Sequence, residues 1–103
     1  MKRVIVLYGT PEDPAAFDRH YAEVHTPLTT AMPKLAGFEI SRGPVAANPP
    51  ADAPYLVATL SYSSDEDMAA SLGSPEGQAA VADLANFATG GVRLLTIDVQ
   101  TVL

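Results

Sequence analysis

The chain has 103 residues, of which 48% are hydrophobic and 17% are charged, and its net charge is −6 at neutral pH. This length predicts one domain, residues 1–103, with a single core. The negative charge disfavours binding to nucleic acid or to an anionic membrane surface, because both need a basic patch. The absence of cysteine excludes disulfides and thiolate chemistry.

The beginning of the sequence does not read as a targeting segment. The apolar run after Lys2 and Arg3 is too short for a signal peptide, and Gly9 and Pro11 follow it where a cleavage site would stand. No stretch approaches the roughly 20 apolar residues that span a bilayer. We therefore expect a soluble, cytoplasmic protein.

The first strand and the first helix are predicted from apolar periodicity and helix-start residues. Residues 4–8 form a β-branched apolar run with both faces apolar. Asp13 is a suitable N-cap, and Pro14 suits the first helical position. The helix is predicted to run to about His25, because Pro27 removes a backbone donor and should end or kink it.

Both histidines of the chain lie on this helix. At about 100° per residue, Phe17, Tyr21 and Val24 share the apolar face. His20 and His25 are placed on opposite edges of that face.

The middle of the chain predicts two strands joined by a long loop. Residues 37–43 alternate like a half-buried strand, and residues 55–62 form a second strand. The proline-rich residues 44–54 between them are predicted to be an exposed loop.

The last part of the chain predicts two helices and a strand. Ser64 and Ser74 are N-caps, the second followed by Pro75, and the helices run to about residues 72 and 87. In the second helix Val81, Leu84 and Phe87 or Ala88 are expected inside and Asp83 outside. Residues 92–103 form the final strand.

The resulting order, βαββαβ, predicts an α+β ferredoxin-like fold with a four-stranded antiparallel sheet and helices on one face. An antiparallel sheet with one face in water should alternate cleanly between apolar and polar residues. Strands 4–8 and 92–103 are instead apolar on both faces. We therefore predict a homodimer in which the open sheet faces of two copies cover each other.

His25 is the first candidate for acid–base chemistry, since an imidazole titrates near neutral pH. At a helix end it would hold its proton somewhat better than in water, because the helix dipole favours a cation there. It could equally bond a free carbonyl of the last turn. Tyr21 could polarise a substrate oxygen or simply pack, and His20 is expected at the surface or an interface.

No metal or cofactor is predicted. Two histidines five residues apart do not share a helix face, and no carboxylate completes a ligand set. The turn after the first strand, Gly9-Thr10-Pro11, lacks the spacing of a dinucleotide-binding loop. Haem ligation by one histidine is left open.

Four segments of the sequence resemble the EthD family over almost the whole chain. They contain Phe17, Tyr21 and His25-Thr26-Pro27-Leu28, then residues 35–38, 55–64 and 74–77. The resemblance implies membership of the dimeric α+β barrel superfamily, in which two sheets pack face to face. It therefore implies the same dimer as the two-sided strands.

The resemblance also implies a ligand pocket between the sheet and the helices. Tyr21 and His25 would be catalytic, and Tyr8, Tyr62, Phe17 and Leu28 would contact the substrate. Family members and their relatives suggest a cofactor-free enzyme acting on a small aromatic or polyketide-like compound, either as an oxidoreductase of the monooxygenase type or as a dehydratase. The alternative is a non-catalytic ligand-binding or accessory protein for a degradative oxygenase system.

Overall fold

A computed structural model describes residues 1–103. The four strands are β1 (Lys2–Tyr8), β2 (Gly37–Ile40), β3 (Leu56–Tyr62) and β4 (Val92–Asp98). The helices are α1 (Pro14–His20), α2 (Thr26–Thr30), α3 (Asp65–Gly73) and α4 (Pro75–Phe87). A single π-helical turn, Tyr21–His25, joins α1 to α2, and a 3₁₀ turn, Pro50–Asp52, lies in the loop before β3.

The sheet is antiparallel throughout, with strand order β2-β3-β1-β4. All four helices pack on one face of it, so the predicted α+β ferredoxin-like fold is confirmed. The core between helices and sheet consists of Val4, Val6, Tyr8, Phe17, Tyr21, Met32, Ala58, Leu60, Tyr62, Ala80 and Phe87. No helix of the chain combines the length and apolar character needed to cross a membrane.

Three helix starts are confirmed at the predicted residues. The side chains of Asp13, Ser64 and Ser74 each accept a hydrogen bond from the backbone N–H three residues later. Such caps satisfy donors that have no partner within the helix. Ser74 directly follows α3 and caps α4, so the two helices are joined without a loop.

Of the two outcomes predicted at Thr26-Pro27, an end or a kink of the helix, the end is wrong. The backbone stays helical to Thr30, and the N–H of Thr26 donates to the carbonyl of Tyr21, five residues earlier. Pro27 has no N–H to donate, and in an α-helix its ring crowds the carbonyl four residues before it. The wider π-turn accommodates the proline without ending the helix.

The π-turn also changes which side chains face the core. Val24 was predicted on the apolar face but is 41% exposed, whereas His25 is buried. An extra residue in the turn shifts every later position around the helix axis. The prediction failed because it assumed one α-helical period throughout.

Two strands are shorter than predicted. β2 ends at Ile40 rather than at residue 43, and β4 ends at Asp98 rather than at residue 103. Both are edge strands, so each pairs on one side only. Apolar alternation alone does not reveal where such one-sided pairing stops.

Candidate functional site

A small cavity of about 50 Å³ lies between the helices and the inner face of the sheet. Its polar groups come from Tyr8, Tyr21, His25 and Thr29. The rest of its wall is apolar and consists of Val4, Val6, Met32, Phe38, Ala58, Leu60, Leu72, Ala80, Val81, Leu84 and Leu94. Val81 and Leu94 are about half exposed, so the cavity reaches the surface between α4 and the edge strand β4.

The structure brings three of the predicted site residues to this cavity: Tyr8, Tyr21 and His25. It does not bring Tyr62 there, because the Tyr62 hydroxyl is buried against the hydroxyl of Ser71, 2.8 Å away. Phe17 packs in the core beside Tyr8, and Leu28 packs against the same core, but neither lines the cavity.

The His25 ring is held between two partners. Its Nδ1 lies 3.0 Å from Asp83 Oδ2, and its Nε2 lies 3.4 Å from the hydroxyl of Tyr8. An ionised carboxylate only accepts hydrogen bonds, so the proton of the neutral ring is assigned to Nδ1. The lone pair of Nε2 is then directed at Tyr8 and the cavity. This is the orientation that a general base needs.

The second histidine binds the same carboxylate. His20 Nε2 lies 2.9 Å from Oδ1 and 3.0 Å from Oδ2 of Asp83, and the Nδ2 group of Asn86 donates to Oδ1 at 3.0 Å. The His20 ring also stacks on Phe87. The prediction that the two histidines do not share a helix face is therefore wrong. The π-turn, with its bond between residues five apart, lets His20 and His25 face one group.

Asp83 is the residue of this cluster that the sequence interpretation missed. It was predicted outside α4, yet it is buried, and Val81, predicted inside, is exposed. A signal was available in the spacing: Asp83 lies three residues after Ala80 and four before Phe87, on the stripe that packs against the sheet. A carboxylate inside an apolar stripe indicates a buried partner.

Burial and hydrogen bonding shift the pKa of each group in this cluster. Burial lowers the pKa of His25, and the attraction of Asp83 offsets this only in part. For Asp83, burial alone would raise the pKa, but hydrogen bonds from Asn86, His20 and His25 outweigh it and lower the pKa. The expectation that His25 holds its proton better at a helix end is wrong, because the ring lies inside a continuous helix and is desolvated.

The two tyrosines of the cavity stay protonated at neutral pH. Burial raises the pKa of Tyr21 to about 12 and raises the pKa of Tyr8 well above its ordinary value. Each hydroxyl can therefore donate a hydrogen bond. No group of three or more His, Cys, Asp or Glu side chains is arranged to hold a metal ion.

Comparison with known proteins identifies the family of this chain. The model of the EthD domain matches residues 10–91. The chain belongs to the EthD family. It is 43% identical over 104 residues to an uncharacterised 11.0 kDa protein from the thcB–thcC intergenic region of Rhodococcus erythropolis, covering 100% of this chain and 99% of that protein.

Solved structures support the assignment. An EthD family protein from Bacillus halodurans superposes with a TM-score of 0.86 at 31% identity, covering 97% of this chain and 99% of that one. A dimeric ferredoxin-like protein of unknown function from Thermobifida fusca gives 0.73 at 15% identity, covering 95% and 90%. SnoaB, a cofactor-independent oxygenase from Streptomyces nogalater, gives 0.64 at 14% identity, covering 98% and 94%. The last two likenesses show the fold alone.

The lowered pKa of His25 predicts how the stability of this EthD domain depends on pH. Between the ordinary value of about 6.5 and the lower folded value, the unfolded chain binds more protons than the folded one. The contribution of His25 is therefore complete above about pH 6.5 and is lost as the pH falls through the folded value. The slope is at most about 1.4 kcal/mol per pH unit for one proton.

Urea unfolding between pH 7.5 and 4.5 measures this dependence, with His25→Asn as the matched control. The asparagine amide can still donate to Asp83 but does not titrate. We expect the unfolding free energy of the wild-type protein to fall more steeply with acidification than that of the variant. Parallel curves would contradict the burial of a neutral His25.

Proposed function

We propose that this EthD domain is a cofactor-free enzyme in which His25 removes a proton from a small, uncharged aromatic or polyketide-like compound. The observation that carries the proposal is the position of the His25 ring. Its Nδ1 is bound to a buried carboxylate, and its Nε2 faces an apolar cavity.

The pairing of His25 with Asp83 supports the role of a general base. A carboxylate on Nδ1 fixes the tautomer and the ring orientation, and it stabilises the imidazolium that forms when Nε2 takes a proton. The low dielectric of the cavity strengthens this interaction. Burial keeps the free ring neutral, and therefore able to accept a proton, at neutral pH.

The tyrosine hydroxyls supply the complementary group. Removal of a proton next to a carbonyl leaves negative charge on the carbonyl oxygen, and a positioned hydrogen-bond donor stabilises that charge. Tyr21 lines the cavity with its hydroxyl protonated, so we assign it this role. Tyr8, which contacts His25 Nε2, would yield that contact to the substrate.

The cavity wall limits the class of substrate. It contains no lysine or arginine, so it offers no counter-ion for a carboxylate or phosphate. An uncharged, largely apolar compound fits this wall. The enolate that His25 produces can expel a β-hydroxyl group, which takes the proton from His25 Nε2 and leaves as water; this is a dehydration. Alternatively, its carbon can bond to molecular oxygen, which acts as the oxidant, and the resulting peroxide takes that proton; this is an oxygenation, the reaction class named for SnoaB.

Deuterium exchange tests the base without knowledge of the natural substrate. The probe is 2-tetralone, an uncharged aromatic ketone with acidic α-hydrogens, followed by NMR in D₂O. We expect the protein to accelerate exchange, with a loss of about 100-fold or more in His25→Asn. In Tyr21→Phe, the loss of one hydrogen bond to the enolate should cost about tenfold.

Tyr62→Phe is the matched control, because the Tyr62 hydroxyl faces Ser71 and not the cavity. We expect its exchange rate to equal that of the wild-type protein. An exchange rate that is unchanged in His25→Asn would contradict the proposal.

The alternative is a non-catalytic ligand-binding or accessory protein, and the small size of the cavity favours its accessory form, which needs no bound ligand. About 50 Å³ holds water but not an aromatic ring, which in an engineered cavity occupied roughly 150 Å³. A substrate must therefore displace the half-exposed rim residues Val81 and Leu94. Saturable binding of 2-tetralone without any exchange would favour this reading.

We also propose that two copies pair through the open sheet face. The face opposite the helices presents Ile5, Leu7, Val57, Leu95 and Ile97, which the strand register places together. Leu95 and Ile97 are 37% and 38% exposed. Arg3, Thr59 and Arg93 lie on the same face beside this apolar cluster. An exposed apolar cluster with polar residues around it is typical of an interface. The fold-related protein from Thermobifida fusca is described as dimeric.

Sedimentation at micromolar concentration tests the dimer. We expect twice the chain mass of 10.8 kDa for the wild-type protein and a monomer for Leu95→Glu, because a buried unpaired carboxylate is costly. Val24→Glu is the control, since Val24 is equally exposed but lies on the π-turn, away from the sheet. A wild-type monomer would contradict the proposed interface.

A further inference from the structure

The two histidines on Asp83 face different surroundings. His25 lines the apolar cavity described above. His20 lines a separate, more polar groove of about 210 Å³, whose other walls include Glu12, Asp13 and Asn86. The proposed function uses His25 and Asp83 but gives His20 no task, although His20 approaches both oxygens of the carboxylate.

One carboxylate can balance one imidazolium, not two. Asp83 Oδ2 lies 3.0 Å from Nε2 of His20 and 3.0 Å from Nδ1 of His25, so two positive rings would share one oxygen. The second positive charge would then be repelled by the first in a buried setting where screening is weak. The cluster therefore accommodates one added proton readily and resists a second.

The more hydrated ring holds that charge at lower cost. The side chain of His20 is 27% exposed, against 7% for His25. Desolvation penalises a charged group in proportion to its burial. Two acidic residues, Glu12 and Asp13, line the same groove as His20.

We propose that His20 is a positioning residue that takes the single positive charge balanced by Asp83 and thereby keeps His25 neutral as the pH falls. The consequence is a wider pH range over which His25 can act as a base. The inference rests on the proposed role of His25, but its test needs no substrate.

Other titratable groups that face the two rings are few. Tyr8 from β1 and Tyr21 from the π-turn face His25, and both stay protonated at neutral pH. Asp83 from α4 faces both rings, and Glu12 and Asp13 line the groove beside His20. The only positive partner available to His25 in this set is therefore His20.

Titration of the imidazole nitrogens by ¹⁵N NMR, on the ligand-free protein, tests the proposal. The informative variant is His20→Gln, whose amide keeps a hydrogen-bond donor for Asp83 but cannot take a charge. We expect the midpoint of His25 to move to higher pH by about half a unit or more in this variant. In the wild-type protein, we expect the His20 ring to become charged before the His25 ring does as the pH falls.

Arg19→Gln is the matched control, because it removes a positive charge from the same helix without a contact to Asp83. We expect the His25 midpoint to stay where it is in the wild-type protein. If His20 only held the carboxylate in place, His20→Gln would preserve that bond and leave the His25 midpoint unchanged, which would overturn the proposal. If His20→Gln does not fold, the order of charging in the wild-type protein decides, and the reverse order overturns the proposal.

These outcomes are separate from those of the proposed function. If the protein does not accelerate 2-tetralone exchange but the His25 midpoint still shifts in His20→Gln, the role of His25 as a base is rejected. The effect of the His20 charge on His25 is then retained. Exchange that depends on His25 without any shift in His20→Gln would keep the base and reject the role of His20.

Discussion

The hydrogen bonds to one buried carboxylate organise the candidate site of this molecule. Asp83 is buried, and its two oxygens accept hydrogen bonds from both histidine rings and from an asparagine amide. A buried carboxylate without such partners would be strongly disfavoured. With them, it ties α4 to the helical segment that crosses the π-turn. The same bonds orient the His25 ring toward the cavity, so that stability and site geometry depend on one group.

The π-turn makes this arrangement possible. In a regular α-helix, side chains five residues apart point in different directions, and one carboxylate could not bind both rings. Pro27 disfavours regular α-helical hydrogen bonds in the turn before it, and the backbone forms one wider π-turn there instead. The turn buries His25 and exposes Val24. A local backbone constraint is thus converted into the geometry of a site.

Most of the fold could be predicted from the sequence, because it follows local rules. Caps at Asp13, Ser64 and Ser74 obey the chemistry of unpaired N–H groups, and the apolar runs of β1 and β3 identify them as strands. The four-stranded order follows from the sequence of elements. The ends of the edge strands were harder to predict, since the length of such a strand depends on the strand it pairs with and not only on its own apolar pattern.

The site was only half predictable. His25 and Tyr21 were found because both lie on a recognisable helix face, and Tyr8 because it ends a buried strand. Asp83 was placed on the wrong side of α4, since a carboxylate is normally exposed and its two partners are about 60 residues away in the chain. Only the packed structure brings such a pair together. The carboxylate shared by His20 and His25 was missed for the related reason that it depends on the π-turn.

The protonation of the His25 ring tests the central claim most directly, because Asp83 can hold this histidine only through a proton on Nδ1. A long-range ¹H–¹⁵N correlation spectrum of the wild-type protein at pH 7.5 distinguishes the two neutral forms of each imidazole. We expect His25 as the Nδ1–H tautomer, with an unprotonated Nε2. A His25 ring that carries its proton on Nε2, with Nδ1 unprotonated, would contradict the account.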